Sequence, residues 1–289
     1  MKLQIFKTLW GMQGTYTQAI REAHMARFDG IEGPAPKDPE LASEVRARLE
    51  DTGMSFIGEI TTAGSYVPDP GASLDQHLET LRYKLEYTRK MSPLFVTCLG
   101  GSDAWSEGQS VDFFSGAMDL AKQSGLTISF ETHRGRSLFN PWVTSRIVEQ
   151  LPEILLTFDF SHWCVVCERM LDGEDDRLRT LARHAQHVHA RVGYEQGPQV
   201  PDPAAPEYLP YLRKHQAWWE MIWNAQSARG YARTTMTPEF GPDGYLHLMP
   251  YTLQPVADLW TVNQWMANEE RKHFQHYMHG KIHGASIGA

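Results

Sequence analysis

Residues 126–160 read LTISFETHRGRSLFNPWVTSRIVEQLPEILLTFDF, and this stretch holds one whole strand–helix–strand unit. A β-type run covers Leu126 to Thr132. A helix then opens at Asn140-Pro141 and turns Val143, Ile147 and Leu151 to one face, and a second β-type run covers Ile154 to Phe160. Strand, crossover helix and strand in this order predict a parallel sheet. Each strand also ends on an acid: Glu131 in SFETHRGR (129–136) and Asp159 in TFDFSHW (157–163).

The same alternation extends in both directions. Upstream, strands are expected at Leu3–Leu9, Gly30–Glu32, Ser55–Ile60 and Leu94–Leu99. Helices are expected near Tyr16–Arg27, after the Asp38 cap and Pro39, over Leu74–Lys90, and through Phe114, Ala117, Met118 and Ala121 to Gly125. Downstream come a helix at Asp175–Ala185, strands at His187–Val192 and Thr234–Phe240, and helices at Pro206–Ala228 and Val256–Tyr277. Eight such units in 289 residues predict an α/β fold, one (β/α)₈ TIM barrel spanning 1–289. A long insertion after strand 7 is expected at about 193–230, opening on a Pro-rich stretch.

Composition narrows the function classes. With 42% apolar residues the chain can fill a large core. Its charge of 27 − 35 = −8 and pI near 5.9 oppose a nucleic-acid surface. No run is long enough for a membrane span, and the first residues lack a signal peptide's apolar stretch, so a cytoplasmic location is expected. Three cysteines make no disulfide framework, and Cys164 and Cys167 read as apolar thiols.

Two further strands end on metal-type residues: His189 in HVHARVGY (187–194) and Glu239 in TPEFGPDGY (237–245). Strand side chains alternate between the barrel interior and the helix layer. If Glu131 points inward, so do Thr127 and Ser129. Thr157 shares the phase of Asp159, His187 and Arg191 share that of His189, and Thr235 and Thr237 share that of Glu239. The polar phase therefore coincides with the ligand phase in all four strands, at the C-terminal ends where barrel active sites form. Three carboxylates and one imidazole suit a hard to borderline divalent cation, Mn²⁺ first, with Mg²⁺, Co²⁺ or Zn²⁺ as alternatives. The cation also removes the cost of burying three mutually repelling acids.

On these four motifs the chain resembles the xylose isomerase-like sugar isomerase/epimerase superfamily, which includes ketose 3-epimerases, hydroxypyruvate isomerase and inosose dehydratase. The resemblance implies one metal on Glu131, Asp159, His189 and Glu239, with Glu131 and Glu239 also acting as the acid/base pair. His162 matches a substrate-contacting His three residues past the Asp. The chain departs from the epimerases where they carry an Arg six residues past the His ligand. That position holds Glu195, and the nearest Arg is Arg191.

The expected function is a metal-dependent sugar or polyol isomerase or epimerase that abstracts a proton beside a carbonyl through a metal-bound enediolate. A lyase sharing this first step (inosose dehydration or keto-glycoside elimination) is the alternative, and a non-catalytic sugar-binding or accessory subunit the second. His133, His162, Arg191 and His187 are candidate substrate contacts, as are Trp10 and Trp105, whose rings suit sugar C–H faces. Glu59, Arg134 and Arg136 are expected in salt bridges at the rim. Trp218, Trp219, Trp223, Trp260 and Trp265 outnumber what a barrel helix needs and predict a homo-oligomer. His276, His279 and His283 read as a frayed end or a subunit contact.

Overall fold

A computed structural model describes residues 1–242 and 244–286, with side chains through Lys281. Eight parallel strands close into a barrel in sequence order, β1-β2-β3-β4-β5-β6-β7-β8, with β8 pairing β1. The strands are β1 Lys2–Thr8, β2 Gly30–Gly33, β3 Ser55–Thr61, β4 Val96–Leu99, β5 Ile128–Glu131, β6 Leu156–Phe158, β7 Ala185–His189 and β8 Arg233–Thr237. Around them run α1 Tyr16–Met25, α2 Pro39–Asp51, α3 Leu74–Thr88, α4 Glu107–Ser124, α5 Pro141–Gln150, α6 Phe160–Cys167, α7 Asp175–Leu181, α8 Leu209–Ala228 and α9 Leu259–Ser286.

Local chemistry sets the helix starts. Asp38 and Asn140 cap α2 and α5 with Pro at the first helical position, and Ser73 and Ser106 build full capping boxes with Gln76 and Gln109. Gly125 ends α4 in the left-handed region.

The alternation of the strands sorts two environments. Outward residues such as Ile128, Phe130, Leu156 and Phe158 join the main core against the helices. Inward, Phe6, Ile57 and Phe95 plug the bottom of the barrel. Gly30 is required there, because a Cβ would run into the Phe6 ring and the Ser55 carbonyl. Above the plug lies a hydroxyl layer: Ser129 bonds Thr157 at 2.7 Å, and Thr157 bonds Thr97 at 3.2 Å. Above that stand the titratable groups. The inward phase expected for Ser129, Thr157, Thr235 and Thr237 is the one observed.

Two expectations need correction. β6 does not run on to Phe160. Asp159 leaves the strand, accepts the Ser161 amide at 2.9 Å and caps an additional helix, α6, which carries both Cys164 and Cys167. All three thiols are free, and Cys98 and Cys164 are buried. Burial pushes the Cys98 thiol up to about 12 and Cys164 well above its ordinary value, which leaves them unreactive.

The tryptophans of α8 are also not spare surface. Trp218, Trp219 and Trp223 are fully buried within the chain, Trp218 against Phe160 and Trp223 against Phe274 and Tyr277 of α9. Trp260 stacks on Phe28 under the Lys7 ammonium, and Trp265 packs half-buried on the main core. The three α8 tryptophans therefore give no ground for a subunit contact. His276 and His279 are exposed on α9, and His283 lies outside the described side chains. Among the described residues, no helix is long and apolar enough to cross a membrane.

Candidate metal centre

Glu131 ends β5, Asp159 caps α6, His189 ends β7 and Glu239 follows β8 by two residues. Barrel closure brings one ligand atom of each within 4.8 Å of the others, and all four side chains are buried. His189 Nδ1 lies 3.0 Å from Glu239 Oε2 and 3.4 Å from Glu131 Oε1, yet it has no hydrogen-bond partner. A buried imidazole nitrogen without a partner, ringed by three carboxylates, is a donor set that fits a divalent cation.

Glu32, at the end of β2, explains why Nδ1 faces that way. One carboxylate oxygen takes His189 Nε2 at 3.1 Å and the other takes His187 Nε2 at 3.0 Å. With Nε2 carrying the hydrogen and donating to Glu32, the Nδ1 lone pair is free to ligate. Burial alone would raise the Glu32 pKa, but the two histidines outweigh it and hold the carboxyl well below its usual range. Burial likewise disfavours a charged His189, and Glu239, Glu32 and Glu131 overcome it, pushing the imidazole well above its usual value. Glu131 is pushed up to about 7, first by burial, with Glu239 and Asp159 adding to it against His189. These acids lack enough positive charge, which a bound cation would supply.

Arg191 meets part of that need. Its Nη2 donates to Asp159 Oδ2 at 2.5 Å and to His162 Nε2 at 2.6 Å, and its Nε donates to Ser161 Oγ at 3.1 Å. Its guanidinium carbon lies 4.8 Å from the Tyr245 ring centre and 5.6 Å from that of Trp10. Two other groupings have ligand-like spacing: Glu32–His187–His189 and Glu131–His133–His162. In the first, both Glu32 oxygens are already committed to the imidazoles. The second lies against the Arg191 guanidinium, which disfavours another cation.

Above the ligands opens a cavity of about 210 Å³. Its wall includes Glu131, Glu239, Arg191, His133 and Trp10, all expected at the site. Three other expected contacts sit elsewhere. His162 is fully buried behind His133, with ring centres 3.9 Å apart, and burial holds it neutral. His187 lies beneath His189, its ring nitrogens occupied by Thr235, Thr237 and Glu32. Trp105 packs on His77 and Phe113, outside the cavity wall.

The rim salt bridges expected of Glu59, Arg134 and Arg136 are not found among the described residues. Glu59 shares the inward phase of Ile57 and lines the cavity. Burial, then Glu239, Glu32 and Glu131, push its carboxyl up to about 8. Arg134 sits over the Tyr245 ring at 4.8 Å. Arg136 is fully buried and ties three loops together through the carbonyls of Thr62, Ser65 and Gly101. Glu32, beside His189, and Tyr66, Tyr245, Thr61, Lys84 and Tyr87, in the cavity wall, are among the site residues that the sequence reading missed. For Glu32 the available signal was its place two residues past Gly30, in the inward phase of a strand ending at the active face.

A family model described as a xylose isomerase-like TIM barrel matches residues 20–199. No curated protein sequence matches the chain. Among solved structures, an L-ribulose 3-epimerase aligns at TM-score 0.66 and 16% identity, over 100% of this chain and 99% of that one. A 3-keto-D-glucoside 4-epimerase from E. coli aligns at 0.62 and 12%, over 94% and 100%. Endonuclease IV from Thermus thermophilus aligns at 0.60 and 12%, over 96% and 100%. At such identities the structural likenesses speak for the fold alone, while the family match spans more than half the sequence. The chain belongs to the xylose isomerase-like TIM-barrel family.

Proposed function

We propose that this protein is a divalent-metal-dependent isomerase or epimerase acting on a sugar or polyol. The observation that carries the reading is His189 Nδ1: buried, without a hydrogen bond, and facing Glu131, Asp159 and Glu239, of which the two glutamates line a small cavity. The O₃N set favours Mn²⁺, with Mg²⁺, Co²⁺ and Zn²⁺ as competitors. A cavity of about 210 Å³ and a charge of −8 favour a small neutral or polyhydroxy molecule over a nucleic acid.

The bound cation supplies the positive charge that polarises a substrate carbonyl and makes the neighbouring C–H acidic. Glu131 and Glu239 both reach the cavity. One takes the proton from the carbon beside the carbonyl, and the other returns a proton. Arg191 holds Asp159 in place and lines the cavity, where it adds positive charge beside the substrate oxygens. Trp10 and Tyr245, in edge contact at 4.9 Å, offer an aromatic wall to the C–H side of a sugar ring. His133 lines the cavity beside Glu131 and is held neutral by burial and the nearby arginines, so it accepts or donates a hydrogen bond without adding charge.

Incubating the metal-loaded protein in D₂O with a panel of ketoses, inososes and 3-keto-glycosides tests the reading. Deuterium at the carbon beside the carbonyl is expected for at least one member, and the products then separate epimerisation from elimination. No incorporation across the panel, at one bound metal per chain by elemental analysis, would overturn it.

A further inference from the structure

The metal-side cavity does not stand alone. A second, more open cavity of about 490 Å³ lies beside it, and Tyr66, His133 and Tyr245 line both. The two differ in size and in character. Pockets for drug-sized ligands run from about 300 to 1,000 Å³. The inner cavity falls below that range, suiting one sugar unit, and the outer one falls within it.

The outer cavity is walled by Val67, Phe139 and Val166, with Arg134 and Asp103 as its charged groups. Val67 is 58% exposed and Val166 38% exposed. None of the three apolar side chains belongs to a core cluster, and Phe139 has no ring partner among the described residues. Three of the outer cavity's polar residues, Tyr66, His133 and Tyr245, are shared with the inner cavity, so a second sugar would leave the hydroxyls that face Val67, Phe139 and Val166 without partners. A flat apolar ring bearing one or two oxygens would meet the valines and Phe139 with its face, and Arg134 or Asp103 with its edge.

We propose that the substrate is an aryl glycoside in keto form, with its sugar unit at the metal centre and its aryl group in the outer cavity. This rests on the proposed function for the sugar end, and it narrows the substrate class from free sugars to glycosides with an aromatic aglycone.

The test uses non-reacting probes on the full chain loaded with Mn²⁺. Binding of 4-nitrophenyl and methyl D-glucopyranosides, each as both anomers, is measured by calorimetry. The aryl glycoside of one anomer is expected to bind about tenfold or more tightly than its methyl counterpart. Val166→Asp and Phe139→Ser, both at positions that reach solvent, are expected to bring that ratio below about threefold while leaving methyl glucoside affinity unchanged. Equal affinity of the two glycosides for the wild type would overturn the proposal. So would failure of both to bind, or an aryl preference that survives both substitutions in folded protein. The deuterium panel reads the other claim separately. Exchange on free ketoses without aryl preference sinks the outer site alone, whereas aryl preference without any exchange sinks the chemistry alone.

Discussion

Glu32 Oε1 accepts a hydrogen bond from His189 Nε2 at 3.1 Å, and this contact decides which imidazole nitrogen faces the three carboxylates. The other Glu32 oxygen holds His187 Nε2 at 3.0 Å, so one acid fixes two rings at successive levels of the barrel. Partners of this kind set ligand orientation and basicity, and their loss typically weakens metal binding by about 10- to 100-fold. Glu32→Gln is therefore expected to lower Mn²⁺ affinity by about that factor, read by chelator competition. Wild-type affinity in a folded Glu32→Gln protein would remove Glu32 from the site.

Glu131→Gln and Glu239→Gln keep size and shape while removing the base. Each is expected to slow deuterium incorporation into a reactive substrate by about 10²- to 10⁴-fold, the range of general acid–base contributions. Circular dichroism should show the fold retained. Exchange at the wild-type rate in either variant, at full metal loading, would take that glutamate out of the proton path.

Arg191→Met strips Asp159 Oδ2 of its 2.5 Å partner inside the barrel. Breaking a buried ion pair from one side costs about 3–5 kcal/mol. The unfolding temperature of the metal-free variant is expected to fall by several degrees or more. Added Mn²⁺ should restore more of the loss in the variant than it adds to the wild type, because the cation takes over part of the missing charge. An unchanged midpoint without metal would mean that the pair contributes no stability.

His215, on α8, sets an acid limit. It is fully buried, its Nδ1 donates to the Tyr211 carbonyl at 2.9 Å, and its Nε2 accepts the Gly193 amide at 3.3 Å. Both nitrogens are used by the neutral ring, and burial pushes its pKa down to about 4. An unfolded histidine titrates near 6.5. Between those values the unfolded chain binds a proton that the folded chain refuses. The contribution is therefore complete above about pH 6.5 and is lost as pH falls toward 4. By pH 5 this group alone costs about 2 kcal/mol. Urea midpoints at pH 7 and pH 5 should fall further for the wild type than for His215→Gln. An equal fall in both would refute the assignment.

Much of the site is readable from single strands. In β5, β6, β7 and β8 the residues Ser129, Thr157, His187 and Thr237 mark the inward phase within a few positions of each candidate ligand, so the four candidates follow from alternation. Glu32 is less legible, because β2 has only four residues and its histidine partners lie 155 and 157 positions away. The start of α6 is hidden for a local reason. The run from Ile154 to Phe160 reads as strand to its end, whereas the Asp159 side chain, bonding to the Ser161 amide, caps a helix that begins at Phe160. On α8, the buried face holding Trp218, Trp219, Ile222 and Trp223 is visible as periodicity, but the α9 residues that cover part of it are distant in sequence.

The carboxylate of Asp159 ends one element, begins the next and belongs to the proposed ligand set. Chain length between Thr157 and His162 is therefore held to a fixed count. One residue added or removed there would displace a ligand, unseat a cap and swing His162 off Arg191 together. Diversification of this barrel is thereby steered away from that turn and toward exposed segments such as residues 247–256, where length can drift without moving a ligand or a cap.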